Sequence, residues 1–162
     1  MDLLQLFDEH HTPLFRFAYR MTGSVVDAED IVQECFLALL RPGCSYDPKR
    51  TPIRTYLFGV VRNQSLKRRT RDEPAGETTS CITPERLALR AELGQAVANA
   101  VAELPDGQRE VLILSHYEQL PLAEIADVLE IEVTAVKSRL QRARASLKET
   151  LAVYAPGVEK RR

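Results

Sequence analysis

The chain has 162 residues and carries 22 Lys or Arg against 23 Asp or Glu, for a formal net charge of −1. That length fits one medium domain or two small ones. A balance so close to zero means that a nucleic-acid surface, if present, must come from local clustering of cations and not from bulk charge. With no Trp, five Phe and five Tyr, a large aromatic core is not expected.

The N-terminus, MDLLQLFDEHHTP, has no basic flank and no long apolar run, so it does not read as a signal peptide. No stretch reaches the roughly 18 apolar residues of a membrane span, so no membrane insertion is expected. The three cysteines, Cys35, Cys44 and Cys81, lack zinc spacing, and an odd count suits a reducing, cytoplasmic setting.

In chain order, Leu14, Phe15, Phe17, Ala18 and Met21 mark a first helix, closed by Gly23. Ala28, Ile31, Val32, Cys35, Phe36 and Leu39 follow the i, i+3, i+4 rhythm of a second. Asp27 is the expected cap of that helix, with Asp30 three residues on, and Arg41-Pro42-Gly43 ends it. The irregular stretch RPGCSYDPKRTP follows. Ile53, Tyr56, Leu57, Val60 and Val61 then mark a third helix, with Pro52 acceptable in its first turn.

The third helix runs into RNQSLKRRTR, where Arg62, Lys67, Arg68, Arg69 and Arg71 stand within ten residues and no acid intervenes. If the helix continues, Arg62, Ser65 and Arg69 fall on one exposed side with Arg54 and Phe58. That side could lie along phosphates while Asn63 reaches a base. Taken alone, such a charge run is more often a solvated face or a linker edge; its weight comes from the second basic helix and the linker between them.

The stretch from Thr70 to Pro84 has two prolines, a glycine, several Ser/Thr and almost no apolar content, which is linker composition. The chain therefore divides into a domain at 1–71, a linker at 72–85, a second domain at 86–152 and a short tail at 153–162. The second domain is also helical. Leu87, Leu93, Val97, Val101 and Leu104 support a helix from about Pro84 to Leu104, and Pro105-Asp106 starts another containing Val111, Leu112 and Leu114. Nothing alternates with period two, so the fold class is all-α: two small helical domains joined by a flexible linker.

The sequence LPLAEIADVLEIEVTAVKSRLQRAR has the spacing of a helix-turn-helix. Ile125, Ala126 and Leu129 pack the first helix, Ile131 points inward from the turn, and Val136 and Leu140 anchor the second. The second helix would enter the major groove with Thr134, Ala135, Lys137 and Ser138 at base edges and with Arg139 and Arg142 on bases or phosphates. No acid stands between Val133 and Lys148. The turn position that usually holds Gly holds Glu130.

Asp27, Glu29, Asp30 and Glu34 cluster in DAEDIVQE. Acids at a helix start favour its dipole, and no His joins them at ligand spacing. No metal, cofactor or catalytic role is expected, and no constellation supports an enzyme. The functional reading is a docking face for a basic protein partner, with Gln33 and Glu34 one turn on from Glu29 and Asp30.

Together these parts resemble the sigma-70 family of bacterial transcription initiation factors, in its small two-domain extracytoplasmic-function (ECF) group. FRFAYRMTGSVVDAEDIVQECFLAL resembles the start of the family's first conserved domain (region 2), TYLFGVVRNQSLKRR its promoter-reading helix, and LPDGQREVLILSHYEQLPLAEIADVLEIEVTAVKSRLQRARASL its second conserved domain (region 4). Family members often carry Trp where Tyr56 stands, and Thr where Ala135 stands.

The resemblance implies a partner for each face. Asp27, Glu29, Asp30, Gln33 and Glu34 would dock on the β′ clamp helices of core RNA polymerase. Arg62, Asn63, Lys67, Arg68, Arg69 and Arg71, with the loop of about 41–52, would recognise and open the minus-10 promoter element, a flipped base being captured in a pocket of the loop. Thr134, Ala135, Lys137, Ser138, Arg139 and Arg142 would read the minus-35 element, and the same domain would touch the β flap. An anti-sigma protein is the implied regulator. The competing reading is a stand-alone helix-turn-helix regulator that uses only the C-terminal motif; binding to polymerase separates the two.

Overall fold

The computed structural model describes residues 2–71 and 88–154. The linker expected at 72–85, Cys81, the first turn expected at Pro84 and the tail from 155 onward lie outside the described residues. Among the described residues the elements are helical, with no strand.

Helix α1 (Leu3–Thr22) begins well before its periodic residues, because the Asp2 side chain accepts a hydrogen bond from Leu4 N at 3.1 Å. It ends at Gly23, whose φ of 72° lets its N–H reach Tyr19 O at 2.7 Å. Helix α2 (Val25–Leu40) starts immediately afterwards and folds back on α1. Its cap is Ser24, which accepts from Asp27 N at 3.2 Å. Asp27, expected as the cap, is instead in the first turn. Val25 and Val26 are already helical though exposed, so the apolar rhythm alone misses this first turn.

Helix α3 (Ile53–Arg71) packs against α1 and α2 on one side and carries α6 on another. Phe58 meets Phe17 of α1 edge to face, ring centroids 5.7 Å apart. The expectation that Phe58 and Ser65 share an exposed side with Arg62 is corrected here. Phe58 is 2% exposed and Ser65 1%, and the Ser65 hydroxyl donates to Val61 O at 2.8 Å. The helix is buried on two sides, so a single apolar stripe understates its core.

The C-terminal half comprises α4 (Ala88–Glu103), α5 (Asp106–Leu112), a π-turn (Ile113–Tyr117), α6 (Leu122–Leu129) and α7 (Val133–Thr150), with a 3-10 turn at Ala152–Tyr154. Helices α6 and α7 form the helix-turn-helix, with Ile125, Ala126, Leu129, Val136 and Leu140 buried where they cross. Ile131 is half-buried. The buried residues of α1–α3 and of α4–α7 belong to one continuous apolar core.

The helix-turn-helix turn carries its Glu130 at φ 56°, ψ 43°, a left-handed conformation that costs a side chain with a Cβ about 1–2 kcal/mol. Glu130→Gly removes that strain but frees the unfolded chain, so the net gain should be about 0.5–1 kcal/mol. Thermal unfolding of the variant should show a melting temperature higher by about 1–3 °C; a fall would mean that the Glu130 side chain makes a compensating contact.

Candidate functional site

Helix α2 turns one face to solvent. Glu29, Asp30, Gln33 and Glu34 are exposed on it, together with Val25, Val26, Leu37 and Leu40. Their spacing of three and four residues puts them along one stripe. Asp27 is half-buried, because Arg68 of α3 reaches it at 3.0 Å; the same guanidinium lies 3.5 Å from Asp30. Sequence reasoning found the acids but passed over the exposed apolar residues beside them. The signal was present, since Leu37 and Leu40 fall outside the Ile31–Cys35–Leu39 stripe.

The basic end of α3 is more engaged than its sequence suggests. Arg62 is half-buried and forks onto Glu110 of α5, with Nε at 2.8 Å from Oε2 and an Nη at 3.2 Å from Oε1. Asn63 and Lys67 are exposed, Arg68 is half-buried on Asp27, and Arg69 and Arg71 belong to the last turns of the helix. The loop before α3 is pinned to it. Tyr46 packs on Tyr56 with centroids 5.0 Å apart, and Cys44 Sγ lies 3.7 Å from the Tyr56 hydroxyl. Burial is the main reason the Tyr56 phenol is pushed above its ordinary pKa. Asp47 closes the loop by accepting from Lys49 N at 2.9 Å. Arg41, Lys49 and Arg50 are exposed around this aromatic pair.

On α7, Thr134, Lys137, Ser138 and Arg142 are exposed and Ala135 is half-buried. Arg139 points elsewhere. An Nη lies 3.5 Å from Glu110 Oε1, and the guanidinium runs over Gly107, where an added Cβ would meet it at 3.2 Å. Glu110, 1% exposed, thus joins one arginine from each of the two basic helices.

Three further contacts join the halves with the same polarity. Arg16 reaches Glu118 at 3.1 Å, Arg54 reaches Glu124 at 2.7 Å, and the Arg20 guanidinium lies 4.0 Å over the Tyr117 ring. The hydrogen bond to Glu124 is the main reason that Arg54 is held even more firmly protonated than usual. In each contact the cation belongs to the N-terminal half. Sequence reasoning missed Glu110 and its neighbour Arg109. Arg109 is 1% exposed and donates to Leu104 O at 2.6 Å and Val101 O at 3.2 Å, closing the end of α4.

Cys35 is buried, its Sγ 3.8 Å from Leu57 O, and burial pushes the thiol up to about 12. It is an unreactive core residue. Among the described residues no group of His, Cys, Asp and Glu could hold a metal ion, and no helix is long and apolar enough to cross a membrane.

A helical molecule with a helix-turn-helix, a second basic helix and an acidic-apolar face is a DNA-binding protein built to work with a protein partner. The family model for sigma-70 region 2 matches residues 6–73, and that for sigma-70, region 4 matches residues 94–147. The ECF RNA polymerase sigma factor SigL of Mycobacterium tuberculosis is 38% identical over 154 residues, covering 90% of this chain and 86% of that protein. The ECF RNA polymerase sigma factor SigW of Bacillus subtilis is 29% identical over 163 residues, covering 90% of this chain and 87% of that protein. Among solved structures, CnrH in complex with the cytosolic domain of CnrY superposes with a TM-score of 0.73 at 30% identity, covering 94% of this chain and 89% of CnrH. The sigma factor RpoE of Bartonella quintana, solved with the anti-sigma factor NepR, gives 0.65 at 25% identity, covering 88% and 91%. The chain belongs to the ECF group of the sigma-70 family of RNA polymerase sigma factors, and its role is that of a sigma factor in transcription initiation.

Proposed function

We propose that the chain binds core RNA polymerase through the exposed face of α2, opens and reads the minus-10 element with α3 and the loop at 41–52, and reads the minus-35 element with α7. The observation that carries this reading is the α2 face: four polar or acidic residues and four apolar ones stand exposed on one helix, at a cost that a monomer has no reason to bear. Glu29, Asp30, Gln33 and Glu34 supply the charge complement to a basic helical partner, the β′ clamp helices. Val26, Leu37 and Leu40 supply buried area.

For the minus-10 element, the Tyr46–Tyr56 pair offers aromatic faces to an unstacked base, and Arg41, Lys49 and Arg50 stand ready for its phosphates. Asn63 is the exposed amide able to read a base edge, with Lys67, Arg68, Arg69 and Arg71 as backbone cations. For the minus-35 element, Thr134, Ala135, Lys137, Ser138 and Arg142 lie on the outer side of α7. Arg139 joins them only after it leaves Glu110. The C-terminal half would also contact the β flap, and an anti-sigma protein would hold the chain inactive. The comparison structures of CnrH with CnrY and of RpoE with NepR lend support to that last point.

The test is co-elution with core polymerase, followed by footprinting of the assembled complex on promoter DNA. The reading expects Arg142→Ala to weaken protection around minus-35 at a cost of about 1–3 kcal/mol, while leaving minus-10 melting intact once the complex forms. Equal losses on unrelated duplexes would reassign Arg142 to phosphate. Tight duplex binding by the chain alone, with no association with core enzyme, would favour a stand-alone regulator.

A further inference from the structure

We propose that Arg68 belongs to two sites at once. In the free chain its guanidinium is the counter-ion of Asp27 and Asp30. On the polymerase, a cation of the enzyme takes Asp30, and Arg68 turns to a backbone phosphate of the opened strand. This rests on the docking role given above to α2 and the minus-10 role given to α3.

One Nη of Arg68 lies 3.0 Å from Asp27 Oδ1 and 3.5 Å from Asp30 Oδ2. The two carboxylates are not equivalent. Asp27 sits in the first turn of α2, where the Ser24 hydroxyl accepts from its N–H at 3.2 Å, and its side chain is 26% exposed. The positive end of the helix dipole favours its charge. Asp30 makes the longer contact and is 54% exposed. Asp27 is therefore the anchor of the guanidinium, and Asp30 the partner that a competing cation removes. Arginine carries five donors in a planar fork. This contact uses one nitrogen, so Arg68 can keep Asp27 while its other edge meets a phosphate. Asp27, grouped by its sequence with the docking acids, becomes the positioning residue for Arg68.

The ion pair is not what holds α2 on α3. Those helices meet through core residues, with Cys35 Sγ 3.8 Å from Leu57 O and both side chains buried. A partly exposed pair adds little to such packing. Its consequence is for binding. A basic partner that engages Asp30 displaces Arg68, and a phosphate that engages Arg68 draws it from Asp30. Either ligand opens the same contact, so the second to arrive finds it already open. The two bindings reinforce each other by one factor in both directions, about threefold for a contact this exposed.

The test is titration of the labelled full chain with core polymerase, with and without a single-stranded oligonucleotide carrying the non-template strand upstream of the chain's own gene. The readout is the ratio of the two affinities, because the polymerase's own hold on DNA enters it equally for every variant. Arg68→Gln should lower the ratio about threefold and raise the affinity without oligonucleotide about twofold, since Asp30 has lost its internal competitor. Arg68→Lys should keep the ratio, because one nitrogen suffices. A simple brace between helices behaves differently: Arg68→Gln would leave the ratio unchanged and lower the melting temperature and core affinity together, which overturns the proposal. Core binding that survives the Asp30 and Glu34 reversals removes the docking role of α2, and failure of the oligonucleotide to bind the assembled complex removes the minus-10 role of α3; either overturns the proposal along with the reading beneath it. Both bindings intact, with an unaltered ratio in Arg68→Gln, overturns the proposal alone.

Discussion

Reversing both Asp30 and Glu34 to Lys should lower affinity for core RNA polymerase by about 100-fold, a loss near 3 kcal/mol, with little change in folding. Both side chains are exposed on α2. The contact of Asp30 with Arg68, at 3.5 Å and with Asp30 54% exposed, is a surface pair of the kind that contributes at most about 1 kcal/mol. Arg68 keeps its closer partner Asp27 at 3.0 Å. The doubly reversed chain should therefore melt within a few degrees of wild type. On polymerase, two cations would face a basic surface instead of two anions, and repulsion adds to the lost attraction. Titration of labelled protein with core enzyme measures the effect. Unchanged affinity would remove the docking role from this face; a collapse in melting temperature would make it a folding element instead.

Arg109→Leu should be the most damaging single change for stability, costing about 3–5 kcal/mol. The guanidinium, 1% exposed, satisfies Leu104 O at 2.6 Å and Val101 O at 3.2 Å, and lies 3.4 Å from Asp106. Removing it loses two hydrogen bonds from a charged donor, each worth about 1.5–3 kcal/mol, and leaves the buried Leu104 O without a donor, while Val101 O keeps the Leu104 N–H at 3.2 Å. Leucine has the bulk to fill part of the space but brings no donor. Because the corner between α4 and α5 supports the packing of α5 on α7, the helix-turn-helix should loosen with it. Urea unfolding would register the loss directly. A cost below about 1 kcal/mol would mean that water reaches those carbonyls.

The helices of this fold differ in how openly the sequence declares them. In α2 and in α6–α7 the buried apolar residues recur with helical period on one face, so these helices and the helix-turn-helix spacing are legible from residues alone. Ser24 shows the limit at helix ends. Ser and Asp cap equally well, and the exposed Val25 and Val26 hide the first turn from an apolar count. In α3 the limit is different. A helix buried on two sides has no single stripe, so Phe58 and Ser65 read as outward when they are core.

The candidate site was legible where charge lies in runs, as in DAEDIVQE and RNQSLKRRTR. It was not legible where charges are paired across long separations. Arg62 and Glu110 stand 48 residues apart and Arg16 and Glu118 stand 102 apart, and no local pattern links them. Arg139 shows the consequence. Its position on α7 suits a base contact, yet in this conformation its guanidinium belongs to Glu110. Sequence assigns such a residue to a helix; only the packing of the halves says what it holds.

Run-off transcription tests the role most directly. Core RNA polymerase, incubated with the purified chain on the DNA upstream of its own gene, should produce a transcript with a single defined start, absent with core enzyme alone and lost with the Asp30 and Glu34 reversals. Random initiation, or a defined start that survives those reversals, would contradict promoter selection through docking on α2.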